Sequence, residues 1–322
     1  EKVGVAGAGH LRVVGLTAPG DPVTLNGQLS SKWCQSDSGG DVDGSGHWGD
    51  EMVEWRLRRR DLRFMVDTLM PETMDKERIV ELVQEDQRFV EAMLDDDRLF
   101  QRLMSSEEIL LSVSPWLLFT VLLRRARRDL ETAPFTTERR SLQRVVLFDT
   151  DEVVDLLDQD ALRGYLASML ASFTRIESMT VAIRVRKGIW RRYRTNELDV
   201  ESLVRHAQAL DEALRFEPYK RIGDVCLFLS GVFPSAIEAK YRYPMSGEIR
   251  PRARSRTVVS REDYEAHGRA FYRLAAEHRA AQVEGLEEVL ESLSENFLLA
   301  EKALSFVANR YLGLIRTKLF GV

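Results

Sequence analysis

Between Val283 and Leu314, ten apolar side chains recur at spacings of three and four: Val283, Leu286, Leu290, Leu293, Phe297, Ala300, Leu304, Val307, Tyr311 and Leu314. This is the period of an α-helix, and a helix with such a stripe must bury it along its whole length. Val289, Leu298, Leu299, Phe306 and Ile315 widen the stripe. A wide stripe favours the interior of a helical bundle. The alternative is the seam of a two-stranded coiled coil, which would make a homodimer through the 283–314 helix.

Helical periodicity also dominates from Met52 onward. A basic helix is expected over 52–69, stopped by Pro71, and Asp75 is placed to cap the next run. Asp95–Asp97 and Ser106 suit further helix starts, because side-chain oxygens satisfy the free N–H groups there. Pro115 fits a first helical turn leading through Leu130. Further helices are expected over 160–173, 199–214, 219–232 and 260–281, with a loop over 239–259. The exception is Thr180–Arg186, which alternates Val181, Ile183 and Val185 with polar or small residues. Lys187-Gly188 and a second run, Ile189–Thr195, follow, which predicts a β-hairpin. The expected fold is predominantly all-α: an irregular multi-helix bundle with one small hairpin near 180–195.

Ile109–Leu123 carries no charge and is followed by Arg124, Arg125, Arg127 and Arg128. A membrane span needs ~20 apolar residues, and Ser112, Ser114 and Pro115 interrupt this shorter run. It reads as buried core, and membrane association is not expected.

The first 50 residues hold 11 of the 20 glycines. Ser36–Gly46 has no apolar period, so 1–50 is expected to be a flexible tail or a non-native leader, with 52–322 as a single helical domain. Within 1–50, Val5–His10 resembles a dinucleotide loop. Arg12 stands where the third glycine belongs, and Pro19 and Pro22 break the helix that would hold the pyrophosphate. No basic segment followed by an apolar one opens the chain, so a secretory signal is not expected. Cys34 and Cys226 form neither a disulfide framework nor a zinc spacing, which fits a reducing cytoplasm. The five histidines are scattered, and neither a metal nor a cofactor is expected.

The most distinctive element is Gly223-Asp224-Val225-Cys226-Leu227-Phe228-Leu229-Ser230-Gly231-Val232-Phe233-Pro234, followed by Tyr264–Tyr272 with Gly268 and Arg269 inside. The pairing resembles an uncharacterised group of bacterial helical proteins with a G-D-x-x-L-F-L-x-G-x-F-P element and a Y-x-x-x-G-R-x-x-Y helix. The resemblance covers roughly 170–275 and implies no established activity. Physically, Gly231 and Gly268 would let helices approach closely. Asp224, Ser230, Tyr264, His267, Arg269 and Tyr272 could then share a polar pocket, with Asp224 and Arg269 as a charge-assisted pair. The competing reading is a structural network inside the bundle. No nucleophile elbow exists, since Phe228 stands where the preceding glycine would fall.

Eight lysines and 38 arginines make up the cations. Codon bias explains an arginine excess, but not its placement. Residues 180–260 carry 16 basic and nine acidic side chains, net +7, within a chain whose remainder is −12. Arg184, Arg186, Lys187, Arg191, Arg192 and Arg194 flank Trp190 and Tyr193, and Arg250, Arg252, Arg254 and Arg256 alternate further on. Basic ribbons with aromatics suit nucleic acid or another polyanion. The cluster could equally pair with the chain's own acidic stretches, Asp95–Asp97 or Glu287–Glu295. The sequence therefore supports three readings: a non-enzymatic binding or regulatory protein, a polyanion binder, and an enzyme or small-ligand binder near Asp224, His267 and Arg269.

Overall fold

The computed structural model describes residues 57–132, 150–174, 198–234, 237, 260–313 and 315–321, with the backbone alone for Gln87, 136–140, 143–147, 179–186 and 189–195. Residues 1–50 lie outside this set, as does the loop expected over 239–259. Among the described residues there are fifteen α-helices, so the fold is predominantly all-α. Backbone over Thr136–Arg140 and Gln143–Leu147 is extended, with Thr136 opposite Leu147 in antiparallel register. Met179–Arg186 and Ile189–Thr195 are also extended, and Thr180–Tyr193 falls outside the compact unit that holds the helices.

The N-terminal half is a series of short helices whose starts are set by side-chain caps. Helix α1 spans Arg59–Leu69, α2 Lys76–Glu85, α3 Gln87–Leu94, α4 Asp97–Leu103, α5 Glu107–Ser112 and α6 Pro115–Glu131. Asp75, Asp86, Asp96, Ser106 and Ser114 each accept a backbone N–H of the helix they open. Asp86 splits the run after Asp75 into two helices where the sequence suggests one. Asp61 reaches further: its buried carboxylate accepts the Ser114 N–H at 3.0 Å and the Arg58 N–H at 3.2 Å. It thereby ties α1 to the start of α6.

Helix α6 is the central rod, buried from Trp116 to Arg124. Against it pack α7 (Thr150–Asp158), α8 (Asp160–Phe173) and, from a C-terminal group, α14 (Phe297–Val307). That group comprises α9 (Val200–Gln208), α10 (Phe216–Val232), α11 (Arg261–Ala276), α12 (Arg279–Val283), α13 (Glu287–Glu295), α14 (Phe297–Val307) and α15 (Ile315–Phe320). One contiguous apolar core runs from Leu62 to Phe320.

Three expected helices are broken. The 199–214 helix stops at Gln208, and Glu212–Leu214 forms a single 3₁₀ turn with Leu214 exposed. The 260–281 helix stops at Ala276, because His278 caps a new helix and meets the Glu212 carbonyl at 3.0 Å. The 283–314 segment is not one helix either. Gly285, with φ 63°, turns the chain before α13, and Asn296 separates α13 from α14. A π-turn, Ala308–Leu312, then leads to Gly313. Leu290, Leu293, Phe297, Ala300, Leu304, Val307 and Tyr311 are all buried in the chain's own core, whereas Val283 is exposed. The stripe is thus consumed internally and does not form a continuous seam for a second copy.

Candidate functional site

Asp224 sits on the face of α10 that meets both α8 and α11. Its Oδ1 accepts the Tyr165 hydroxyl at 2.6 Å and the Tyr272 hydroxyl at 2.9 Å. A carboxylate held by two phenols satisfies a charge that would otherwise be costly to bury. Lys220, one turn back on α10, brings its Nζ to 3.8 Å from Oδ2 and to 3.7 Å from Glu217. Its ammonium also stands 5.8 Å from the centre of the Tyr165 ring. Burial, reinforced by the Asp224 charge, holds both phenols well above the usual tyrosine range.

Glycines let this junction close. A Cβ on Gly223 would lie 2.7 Å from the Tyr272 ring, and one on Gly268 would lie 2.2 Å from the Phe297 ring. One on Gly231 would meet Leu304 Cβ at 2.8 Å. Each glycine therefore admits a bulky neighbour from the facing helix, as expected for Gly231 and Gly268.

Of the six candidate pocket residues, the structure brings together Asp224 and Tyr272. Ser230 is fully buried and its hydroxyl donates to the Leu227 carbonyl within α10. His267 is exposed, with Nδ1 2.6 Å from the Asp263 carbonyl. The expected Asp224–Arg269 pair does not form. Arg269 binds Glu265 at 3.0 Å and donates to the carbonyls of Ser294 (3.3 Å) and Glu295 (2.8 Å), capping the end of α13. Tyr264 is half-buried, and burial raises its phenol. Cys226 is buried among apolar residues, which pushes its thiol up and leaves it unreactive. Tyr165 and Lys220, the other members of the cluster, were not singled out by the sequence. Tyr165 lies 59 residues from Asp224 and reads as one more position of an amphipathic stripe.

Arg184, Arg186, Trp190, Arg191, Arg192, Tyr193 and Arg194 lie on the extended segments, where only the backbone is described. Lys187, Arg252, Arg254 and Arg256 lie outside the described residues.

The basic run on α6 has a different fate. Arg124 pairs with Glu91 and with Asp95 (2.8 Å), Arg125 with Asp97 and Asp129 (both 2.7 Å), Arg127 with Asp158, and Arg128 with Asp97 (3.1 Å). Asp96 takes Arg98 at 2.8 Å. The Asp95–Asp97 triplet is thereby neutralised by α4 and α6. Glu287, Glu291 and Glu295 instead line an open depression with Glu277 and Arg273.

Among the described residues, no group of three or more His, Cys, Asp or Glu side chains could hold a metal ion. No helix among them is long and apolar enough to cross a membrane. The chain matches no family model, no curated protein and no solved structure.

Proposed function

We propose that this chain is a non-enzymatic binding or regulatory protein whose helical body is a scaffold. The observation that carries this reading is the closure of the Asp224 cluster. Asp224 is 3% exposed, Tyr165 5% and Tyr272 0%, so the most reactive-looking constellation offers a substrate no way in. Its hydrogen bonds join α8, α10 and α11, which is the work of a structural lock. The test is Asp224→Asn. The neutral amide loses a charge-assisted acceptor for two phenols, and the expected cost is about 2–4 kcal/mol in urea denaturation with helical content retained. A variant as stable as the unaltered chain would overturn the reading.

A second reading, polyanion binding through 180–195 and 250–256, is favoured by one observation. The Asp95–Asp97 carboxylates, which could have neutralised those arginines, are already engaged by Arg124, Arg125, Arg128 and Arg98. On this reading 180–195 is a β-hairpin presenting Arg184, Arg186, Arg191, Arg192 and Arg194. Affinity for duplex DNA or single-stranded RNA, followed by fluorescence anisotropy, is expected to fall steeply with salt. Changing Arg191, Arg192 and Arg194 together to Glu should abolish it. Undetectable binding at low salt would end this idea. The G-D-x-x-L-F-L-x-G-x-F-P element supports kinship with the bacterial helical group it resembles, and the cysteine pattern supports a cytoplasmic setting.

A further inference from the structure

His278 serves two elements with one ring. Its Nδ1 accepts the Ala280 N–H at 3.1 Å, which caps α12, and its Nε2 lies 3.0 Å from the carbonyl oxygen of Glu212 in the 3₁₀ turn. These partners fix the form of the imidazole. A backbone N–H only donates, so Nδ1 carries a lone pair; a carbonyl only accepts, so Nε2 carries the hydrogen. The neutral Nε2–H tautomer is the one form that satisfies both. The imidazolium has a hydrogen on each nitrogen. It therefore keeps the Glu212 contact and turns Nδ1 from an acceptor into a second donor facing the Ala280 N–H.

Helix α12 depends on that cap. It has five residues, Ala281 is its one buried side chain, and Val283 is 71% exposed. So short a helix is not held by its own hydrogen bonds. Protonation removes the acceptor of one N–H and sets a positive charge beside the free N–H groups of the helix start, which disfavour it. The charged groups at this corner are Glu212 in the 3₁₀ turn, Glu217 and Lys220 on α10, Glu277 and Arg279 beside the ring in sequence, and Glu284 at the end of α12. Among the described residues, none of these carboxylates forms an ion pair with the imidazole, and Lys220 takes Glu217 at 3.7 Å. Arg215 turns away to the Leu210 carbonyl at 2.8 Å, and Glu287 of α13 takes Gln282 at 3.3 Å. The Phe216 ring, 5.7 Å from the imidazole, is the neighbour on α10. Glu284 titrates in the opposite sense. Burial, and then the Glu217 charge, hold its carboxyl above the usual range, so taking up a proton there favours the folded corner.

We propose that His278 is a pH-sensitive switch, which caps α12 when neutral and releases it when protonated. Histidine is the side chain whose ordinary change of charge falls between about pH 5 and 8. On protonation the ring stays with the Glu212 carbonyl, so the 3₁₀ turn keeps its hold while residues 279–284 loosen. That segment links Glu277 to Glu287, two walls of the open depression between α11 and α13. Mild acid therefore frees the connection between those two walls.

The test is hydrogen exchange at the Ala280 and Glu284 amides of the full chain, read by NMR as protection factors, which removes the intrinsic effect of pH on exchange. Protection at both should fall about tenfold between about pH 7.5 and 5.5, the size expected for loss of a cap, while core amides of α10 stay protected. The ring nitrogens of His278 should report the Nε2–H tautomer at the upper pH. His278→Asn supplies a cap that does not titrate and should hold protection level across the same range. Glu284→Gln should leave the fall in place. Protection that does not change with pH in the unaltered chain overturns the proposal, and so does an Nδ1–H tautomer at the upper pH. A fall that survives His278→Asn, or vanishes in Glu284→Gln, assigns the effect to another group and overturns it too.

Discussion

At the scale of residues, the fold depends on a few polar side chains placed where they can be satisfied. Asp61 accepts two backbone donors between α1 and α6, and Asp224 accepts two phenols between three helices. The second cluster gives the chain an alkaline limit. Tyr165 and Tyr272 titrate above their ordinary value when folded, so the unfolded chain gives up these protons first. Their contribution to stability is complete below about pH 10, the unfolded tyrosine value, and is lost progressively as pH rises above it. Urea midpoints measured between pH 8 and 11 should fall across the upper part of that range, and the fall should be shallower in Tyr272→Phe. A flat profile would show that the two phenols leave the cluster without cost. The sequence pointed to Asp224 and Tyr272 because they lie in a distinctive motif. It could not point to Tyr165, whose neighbours are those of any amphipathic helix. It also misassigned Arg269, because the carbonyls that arginine caps belong to a helix end created only by the break at Asn296.

At the scale of elements, capping residues were the most legible feature. Asp75, Ser106 and Ser260 open the helices that their local sequence announces, since a cap is a local interaction. Helix breaks were less legible. Gly285 and Asn296 interrupt an unbroken apolar stripe, and the stripe keeps its period across the breaks because α13 and α14 still face the same core. Close approach between elements is also specified at single positions. On α11, Gly268 faces the Phe297 ring at the start of α14, with no slack for even a methyl group. Gly268→Ala should cost about 1–3 kcal/mol in urea denaturation through overpacking, despite the better helix propensity of alanine. Adding Phe297→Leu should recover part of that loss, and a double variant no better than Gly268→Ala alone would rule out the ring as the cause.

At the scale of the whole molecule, the arginine excess divides into two populations. Those on α6 are paired with carboxylates of α3, α4 and α7, which makes them part of the scaffold. Arg205, Arg215 and Arg221 likewise belong to the scaffold, through Glu201, the Leu210 carbonyl and Ser172, whereas the clusters at 184–194 and 250–256 do not have Asp95–Asp97 to draw on, because other arginines already engage those carboxylates. Composition alone could not separate these groups, because pairing is a property of the assembled helices. The same assembly has a consequence in time. Glu107 of α5 and Lys318 of α15, which form an ion pair, are 211 residues apart in the chain. At synthesis rates of about 5–20 residues per second, roughly 10–40 seconds separate the emergence of the two partners. Until Phe320 has emerged, the stacked contact it makes with Phe119 of α6 cannot form, so this corner of the core closes late, after the helices around it are already made.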